Sequence, residues 1–225
     1  MRAPLSVVIP TLNAEIGLAT SLPALMEGLS SGVIREVIFS DGGSVDGTKL
    51  MAEDSGAVFV TGPASRGGQL RRGAEAAAGE WLLFLHADTV LSPGWSAAVE
   101  AHLPSAQPGY GRLQFAGGGF AGRLVAGWAN LRSRVFGLPY GDQSLLIPRS
   151  LYKQAGGYRD IPLMEDVAMA RVLRGRLHAL PYVAMTSAER YQRNGWLRRG
   201  SRNLWTLIRF FFGVSPERLA ADYRR

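Results

Sequence analysis

Five apolar residues, Trp81-Leu-Leu-Phe-Leu85, run without a break and stop at His86-Ala-Asp88. A short unbroken run of this kind predicts a strand buried on both faces, as in a parallel sheet. Such a strand needs a layer of helices on either side, so it commits the chain to a layered α/β domain. The polar residues arrive where the strand should end. In open α/β sheets, ligands bind outside the carboxyl ends of the strands. A carboxylate at that edge can hold a divalent cation through its oxygens. Asp88 can equally cap the turn that leads to Pro93.

The preceding residues repeat the pattern. Strands are predicted at Leu5–Pro10, Glu36–Asp41 and Ala57–Thr61, with helices near 15–29, 47–55 and 69–78. Strand and helix in regular alternation predict right-handed βαβ units and a parallel sheet covered on both faces. Each strand is followed by small or charged residues: Pro10, Thr11, Asn13 and Glu15; Asp41-Gly-Gly-Ser44 and Asp46; Arg66-Gly-Gly68; His86 and Asp88. The sheet would gather these at one edge, where they suit a nucleotide diphosphate and its metal. Asp41 would accept from a base ring N–H. Asp41-Gly42 also reads as a hairpin turn, but Ser44-Val-Asp-Gly-Thr48 is not strand-like. Arg66 before a helix N-terminus suits phosphate recognition. Thr11 and Asn13 can also simply cap the first helix.

At 225 residues one sizeable core is expected. The absence of cysteine excludes disulfides, Cys-ligated zinc and a thiol nucleophile. The apolar run at Leu5–Pro10 is too short for a signal-peptide core, and no stretch reaches the roughly 18 apolar residues of a membrane span; a cytoplasmic protein is expected. The net charge of +7 is uneven: residues 171–225 hold 12 arginines and three acids, which leaves the front slightly acidic. A basic tail suits an anionic partner.

Gly117-Gly-Gly119-Phe-Ala-Gly122 matches the dinucleotide fingerprint, with Asp142 twenty residues further on. The match comes after four strands, not at the first βα turn where it belongs, so a mobile glycine-rich loop beside the site is expected instead. Asp142 and Gln143 lead into the strand-like Ser144–Pro148. They either face a bound sugar or acceptor or satisfy backbone groups. Glu165-Asp166 opens a helix. Acids there suit the macrodipole, or one is a general base whose pKa the helix lowers and burial raises. In Trp196–Phe212, Leu197, Leu204, Trp205, Ile208, Phe211 and Phe212 share one side at about 100° per residue, with Arg198, Arg199, Arg202 and Arg209 on the other. Such a helix packs on its own core or on a partner subunit in a homodimer, or lies on an anionic bilayer.

Taken together these residues resemble the family-two glycosyltransferases, which have the GT-A fold, from Val7 to about Arg193. Val7-Val-Ile-Pro-Thr-Leu-Asn13 looks like that family's first strand, and Asp41–Thr48 like its second-strand turn. Arg66-Gly-Gly-Gln-Leu-Arg-Arg-Gly73 looks like its nucleotide-facing loop and helix. His86-Ala-Asp88 occupies the Asp-x-Asp metal motif with His in the first position, and Glu165-Asp166 the acidic pair. In detail the chain is similar to a bacterial subfamily labelled arsenosugar-biosynthesis glycosyltransferases. The resemblance implies a Rossmann-like mixed sheet with helices on both faces. It places a single domain over 1–193 (nucleotide half 1–90, acceptor half 91–193) and a basic amphipathic tail over 194–225. It further implies a metal-dependent, inverting transfer from a nucleotide-diphosphate sugar to an acceptor hydroxyl. Asp166 would be the base and Glu165 the second choice. Asp88 would hold Mg²⁺ or Mn²⁺, with His86 either holding ribose or bound water or itself a ligand. Pro10, Thr11, Asn13, Glu15, Asp41, Gly43, Ser44 and Arg66 would bind nucleotide; Asp142, Gln143 and Arg193 would meet acceptor or sugar. The rival readings are a non-catalytic nucleotide-sugar binder and a nucleotidyltransferase, the latter lacking its lysine-bearing phosphate loop after the first strand. A nucleic-acid partner is not expected, because the tail's arginines alternate with an apolar face.

Overall fold

A computed structural model describes residues 3–224. Strands β1 (Leu5–Thr11), β2 (Ile34–Asp41), β3 (Val58–Thr61) and β4 (Trp81–Phe84) are parallel and alternate with helices α1 (Glu15–Ser30), α2 (Thr48–Ser55) and α3 (Arg66–Ala76). The chain continues through β5 (Thr89–Leu91), α4 (Trp95–His102), β6 (Gly109–Ala116), α5 (Gly119–Phe136), β7 (Leu145–Pro148), α6 (Arg149–Gln154), α7 (Glu165–Val172) and β8 (His178–Ser187). Helices α8 (Glu189–Asn194), α9 (Trp196–Phe211) and α10 (Pro216–Arg224) follow. One sheet runs in the order β3-β2-β1-β4-β7-β6-β8-β5. β7 is antiparallel to β4, so the sheet is mixed beyond its parallel half. Strand β8, with its alternately buried Leu180, Tyr182, Ala184 and Thr186, is an element the sequence reading passed over.

Strands β1 and β4 and the second half of β2 are buried on both faces, as their apolar runs require, whereas β3 at the sheet edge is partly exposed. On one face Val7, Ile9, Phe39 and Leu83 pack against Leu18 and Leu25 of α1 and Trp95 of α4. On the other, Val8, Ile38, Leu82 and Phe84 pack against Leu70 and Ala74 of α3 and against Tyr152 and Tyr158. Helix α3 begins three residues earlier than expected. Its first turn holds Gly67, where a Cβ would lie 2.0 Å from the carbonyl oxygen of Arg159. The glycines that read as a loop are there to let the helix end touch the segment before α7.

Two expectations are corrected. Gly117–Gly119 is not an extended glycine-rich loop, although β6, antiparallel to β7 and so parallel to β4, delivers it to the same edge of the sheet. It is a tight entry to α5, with Gly118 and Gly122 against the Trp196 ring. The apolar side of α9 does not pack on the protein's own core. Leu197, Trp205 and Phe212 are 89%, 61% and 84% exposed, while Thr206, Leu207 and Phe210 face inward beside Val167 of α7. The arginine side is what docks: Arg209 pairs with Asp222 at 2.8 Å, Arg202 donates to the Asp222 carbonyl, and Arg199 lies over the rings of Tyr191 and Tyr223. These polar contacts hold α10 and α8 against α9 and so decide which side faces out.

Candidate active site at the carboxyl edge of the sheet

The loops after β1 and β2 are knitted to each other. Asp41, at the end of β2, is buried and accepts from Thr11 Oγ1, from the Gly43 and Ser44 amides and from Ser44 Oγ. Burial raises its pKa, but these donors outweigh burial and hold it below the ordinary carboxylate range. Four donors match the roughly four lone-pair sites of a carboxylate. A base N–H would therefore have to displace one, and the Thr11 and Ser44 hydroxyls are the two that can rotate away. Asn13, at φ 49°, accepts from the Val45 amide, and its own amide donates to Ser44 Oγ. Glu15 accepts from Gly47. Thr11 and Asn13 therefore do not cap α1. The α1 amides of Ala14 and Glu15 are answered by Thr48 Oγ1 and Asp46 across the gap. Pro10 sits beside Ser40 in the β1–β2 ladder.

The second group surrounds Arg66. Ser65 caps α3, which aims the Arg66 side chain from the first helical position across the edge. Its Nε lies 2.8 Å from Glu165 Oε1, and its Nη2 meets the His86 ring nitrogens. Guanidinium can only donate, so His86 receives the bond on an unprotonated nitrogen. Gly141 closes over the ring: a Cβ there would sit 2.5 Å from His86 Nε2. A cation on that nitrogen would have to displace Arg66. Four carboxylates, Glu165, Asp166, Asp142 and Asp88, bear electrostatically on Arg66. Glu165 is 2% exposed, and burial pushes its carboxyl up, only partly offset by Arg66. Asp166 is half-buried at the start of α7, where Oδ2 accepts from the Gly141 amide at 2.8 Å. It lines a small hollow with His86, Gly141, Tyr158 and Glu165.

Asp88 stands in the turn after β4. Ser21 on α1 donates to the carbonyl of Ala87 at 2.7 Å and fixes the turn from the other face of the sheet. Among the described residues no three His, Cys, Asp or Glu side chains converge as a cage for metal. None is needed for Mg²⁺, which keeps waters and takes one or two carboxylates together with substrate phosphates. Asp88, half-exposed at the edge, fits that role.

Asp142 is half-buried, with Oδ1 shut off from solvent and unpartnered. Burial raises its pKa to about 6, against the pull of Arg132. Gln143 does not reach the cleft: it is fully buried, accepting from Ser133 Oγ and Tyr140 and donating to Gly111 and Asn130. Its amide satisfies the interior between β6 and α5. Arg193 is also not brought in. It pairs with Glu189 along α8, while Tyr191, two residues away and so on another side of the helix, interacts with Asp142. The sequence reading missed Arg132 and Tyr140. Arg132 is buried, with its guanidinium 3.5 Å from the Tyr140 ring centroid and Nη2 unpartnered. An arginine in line with the small residues Gly122, Ala126 and Ala129 on the inner side of α5 was the available signal.

The family described as Glycosyl transferase family 2 matches residues 6–106, from β1 through α4. No curated protein sequence matches the chain. Among solved structures, residues 1–349 of S. aureus TarS in complex with UDP-GlcNAc superpose with a TM-score of 0.61 at 15% identity, covering 81% of this chain and 58% of that one. Glucosyl-3-phosphoglycerate synthase from Mycobacterium tuberculosis, in complex with Mn²⁺, UDP and phosphoglyceric acid, gives 0.53 at 21% identity, covering 82% and 69%. The chain spans less than two thirds of that TarS fragment. The chain therefore has the GT-A fold of the glycosyltransferases, with the glycosyl transferase family 2 signature carried by residues 6–106.

Proposed function

We propose that this glycosyltransferase moves a sugar from a nucleotide-diphosphate donor to an acceptor hydroxyl with inversion at the anomeric carbon. The observation that carries the reading is the meeting of Asp88, Arg66, Asp142, Glu165 and Asp166 where the parallel strands end. The acceptor oxygen bonds to the anomeric carbon as the bond to the diphosphate breaks, and the acceptor proton passes to Asp166. Both line the hollow, and Asp166 is preferred because it is only half-buried, whereas Glu165 is 2% exposed and sealed against Arg66. Arg66 supplies positive charge to the leaving group. Asp88 would hold Mg²⁺ or Mn²⁺, which would neutralise the diphosphate. The loops carrying Pro10, Thr11, Asn13, Glu15, Asp41, Gly43 and Ser44 receive the nucleoside. Since the two neighbours were solved with UDP-GlcNAc and with UDP, a UDP-sugar is the first donor to test. The subfamily resemblance brings in an arsenosugar as one acceptor.

The test is thermal shift against UDP-, GDP- and dTDP-sugars with and without Mn²⁺, on the wild type and on Asp88→Asn. Stabilisation by one donor, dependent on Mn²⁺ and lost in Asp88→Asn, is expected. No stabilisation by any donor rules out the reading. Binding without turnover, including donor hydrolysis, returns the protein to the class of non-catalytic sugar-nucleotide binders.

A further inference from the structure

Helices α5 and α9 lie alongside each other. Trp196, at the start of α9, packs on Gly122 near the start of α5. Leu138, just past the end of α5, shares a cluster with Leu207 and Phe210 of α9. Each helix turns an apolar row outward. On α5 the row is Phe120, Leu124, Trp128, Leu131 and Val135, each more than half exposed. On α9 it is Leu197, Leu204, Trp205, Phe211 and Phe212. Apolar rows side by side on two helices exceed the scattered exposure normal for a monomer surface and mark a contact face.

The charges choose the partner. Between them α5 and α9 carry no acid, and of their seven arginines three face outward. Arg123, Arg134 and Arg198 are exposed beside the apolar rows. A second copy seated on this face would oppose arginine to arginine with no acid from either helix to answer it. A surface that is apolar inside and anionic at its rim matches both features.

We propose that the α5–α9 flank docks on an anionic phospholipid bilayer, with Trp128, Trp205 and Phe212 entering the headgroup–acyl boundary and the flanking arginines on lipid phosphates. Among the described residues no helix is long and apolar enough to cross a membrane, so the contact is peripheral. It does not depend on the transfer reaction.

The experiment is co-sedimentation of the full chain with phosphatidylcholine vesicles, with and without phosphatidylglycerol, at low and high salt. Strong binding to the anionic vesicles, weakened by salt, is expected, with a blue shift of tryptophan fluorescence as Trp128 and Trp205 leave water. The variant Trp128→Ser/Trp205→Ser/Phe212→Ser should bind at least about tenfold more weakly. Its melting temperature should fall by only a few degrees, because each of the three side chains is more than half exposed. A double variant, Arg123→Gln/Arg198→Gln, should lose the preference for anionic lipid. No binding to anionic vesicles at low salt overturns the proposal. So does binding that the aromatic variant leaves intact, or a wild-type dimer in sedimentation velocity that the same variant turns to monomer.

Discussion

The loops after β1 and β2 and the flank formed by α5 and α9 are opposite kinds of surface. In the first, each side chain answers another. Asp41 is saturated by four donors, and the open end of α1 is closed by Thr48 and Asp46 from the next loop. In the second, apolar side chains stand in water beside exposed arginines, while Arg199, Arg202 and Arg209 turn inward to hold α8 and α10. A surface whose polar groups are already paired is preorganised, so a ligand pays little to order it. A surface with apolar rows uncovered gains most from being covered. The contrast separates a site that receives a small soluble donor from a face that waits for something larger.

The largest test of this contrast lies at the reacting edge. Asp166→Asn should lower transfer by about a thousandfold, the usual reach of a general base, with the donor dissociation constant unchanged because the loops that hold nucleotide are untouched. Initial rates beside equilibrium donor titration measure both. Comparable loss in both would make Asp166 part of donor binding. Next comes the orientation of α9. Phe210→Ala, at a buried position, should cost about 3 kcal/mol in urea unfolding, whereas Phe212→Ala, 84% exposed, should stay within about 0.5 kcal/mol. Equal costs would mean that the apolar row is covered in solution.

The interlocked loops predict a smaller effect. Thr48→Val keeps the shape but removes the oxygen that accepts the Ala14 amide. Its cost should be about 1–2 kcal/mol, and hydrogen exchange should quicken at Ala14. Smallest is the pH dependence. Asp142 has its pKa raised from 3.8 to about 6 in the folded protein, so the native state holds a proton that the unfolded chain releases. That contribution is complete below about pH 4 and is lost as pH rises through about 6. Asp142→Asn should flatten the urea midpoint between pH 4 and 8, a difference of about 1 kcal/mol for a half-buried group. An unchanged slope would assign it to Glu165.

The parallel half was legible because its signals are local. An apolar run buried on both faces announces itself, and each strand is followed by the residues that crowd one edge. The acidic pair at the start of α7 was legible from its position alone. What escaped depends on contacts far along the chain. The glycines at 67 and 68 read as a loop because nothing nearby shows that Arg159 and Asp160 press on them. Gln143 read as a site residue because a polar group entering a strand looks the same whether it meets a sugar or the interior. Helical periodicity put the apolar residues of α9 on one side, but which side faces inward was set by Asp222 and Tyr223, beyond the helix itself.

The bond from Ser21 to the carbonyl of Ala87 ties the aspartate turn to the second turn of α1, beyond the Glu15 end that a donor would meet. Remodelling of α1 would therefore reach the leaving group by shifting the oxygen that anchors its counter-ion. Substitutions that tune turnover have a place on α1, away from the nucleotide.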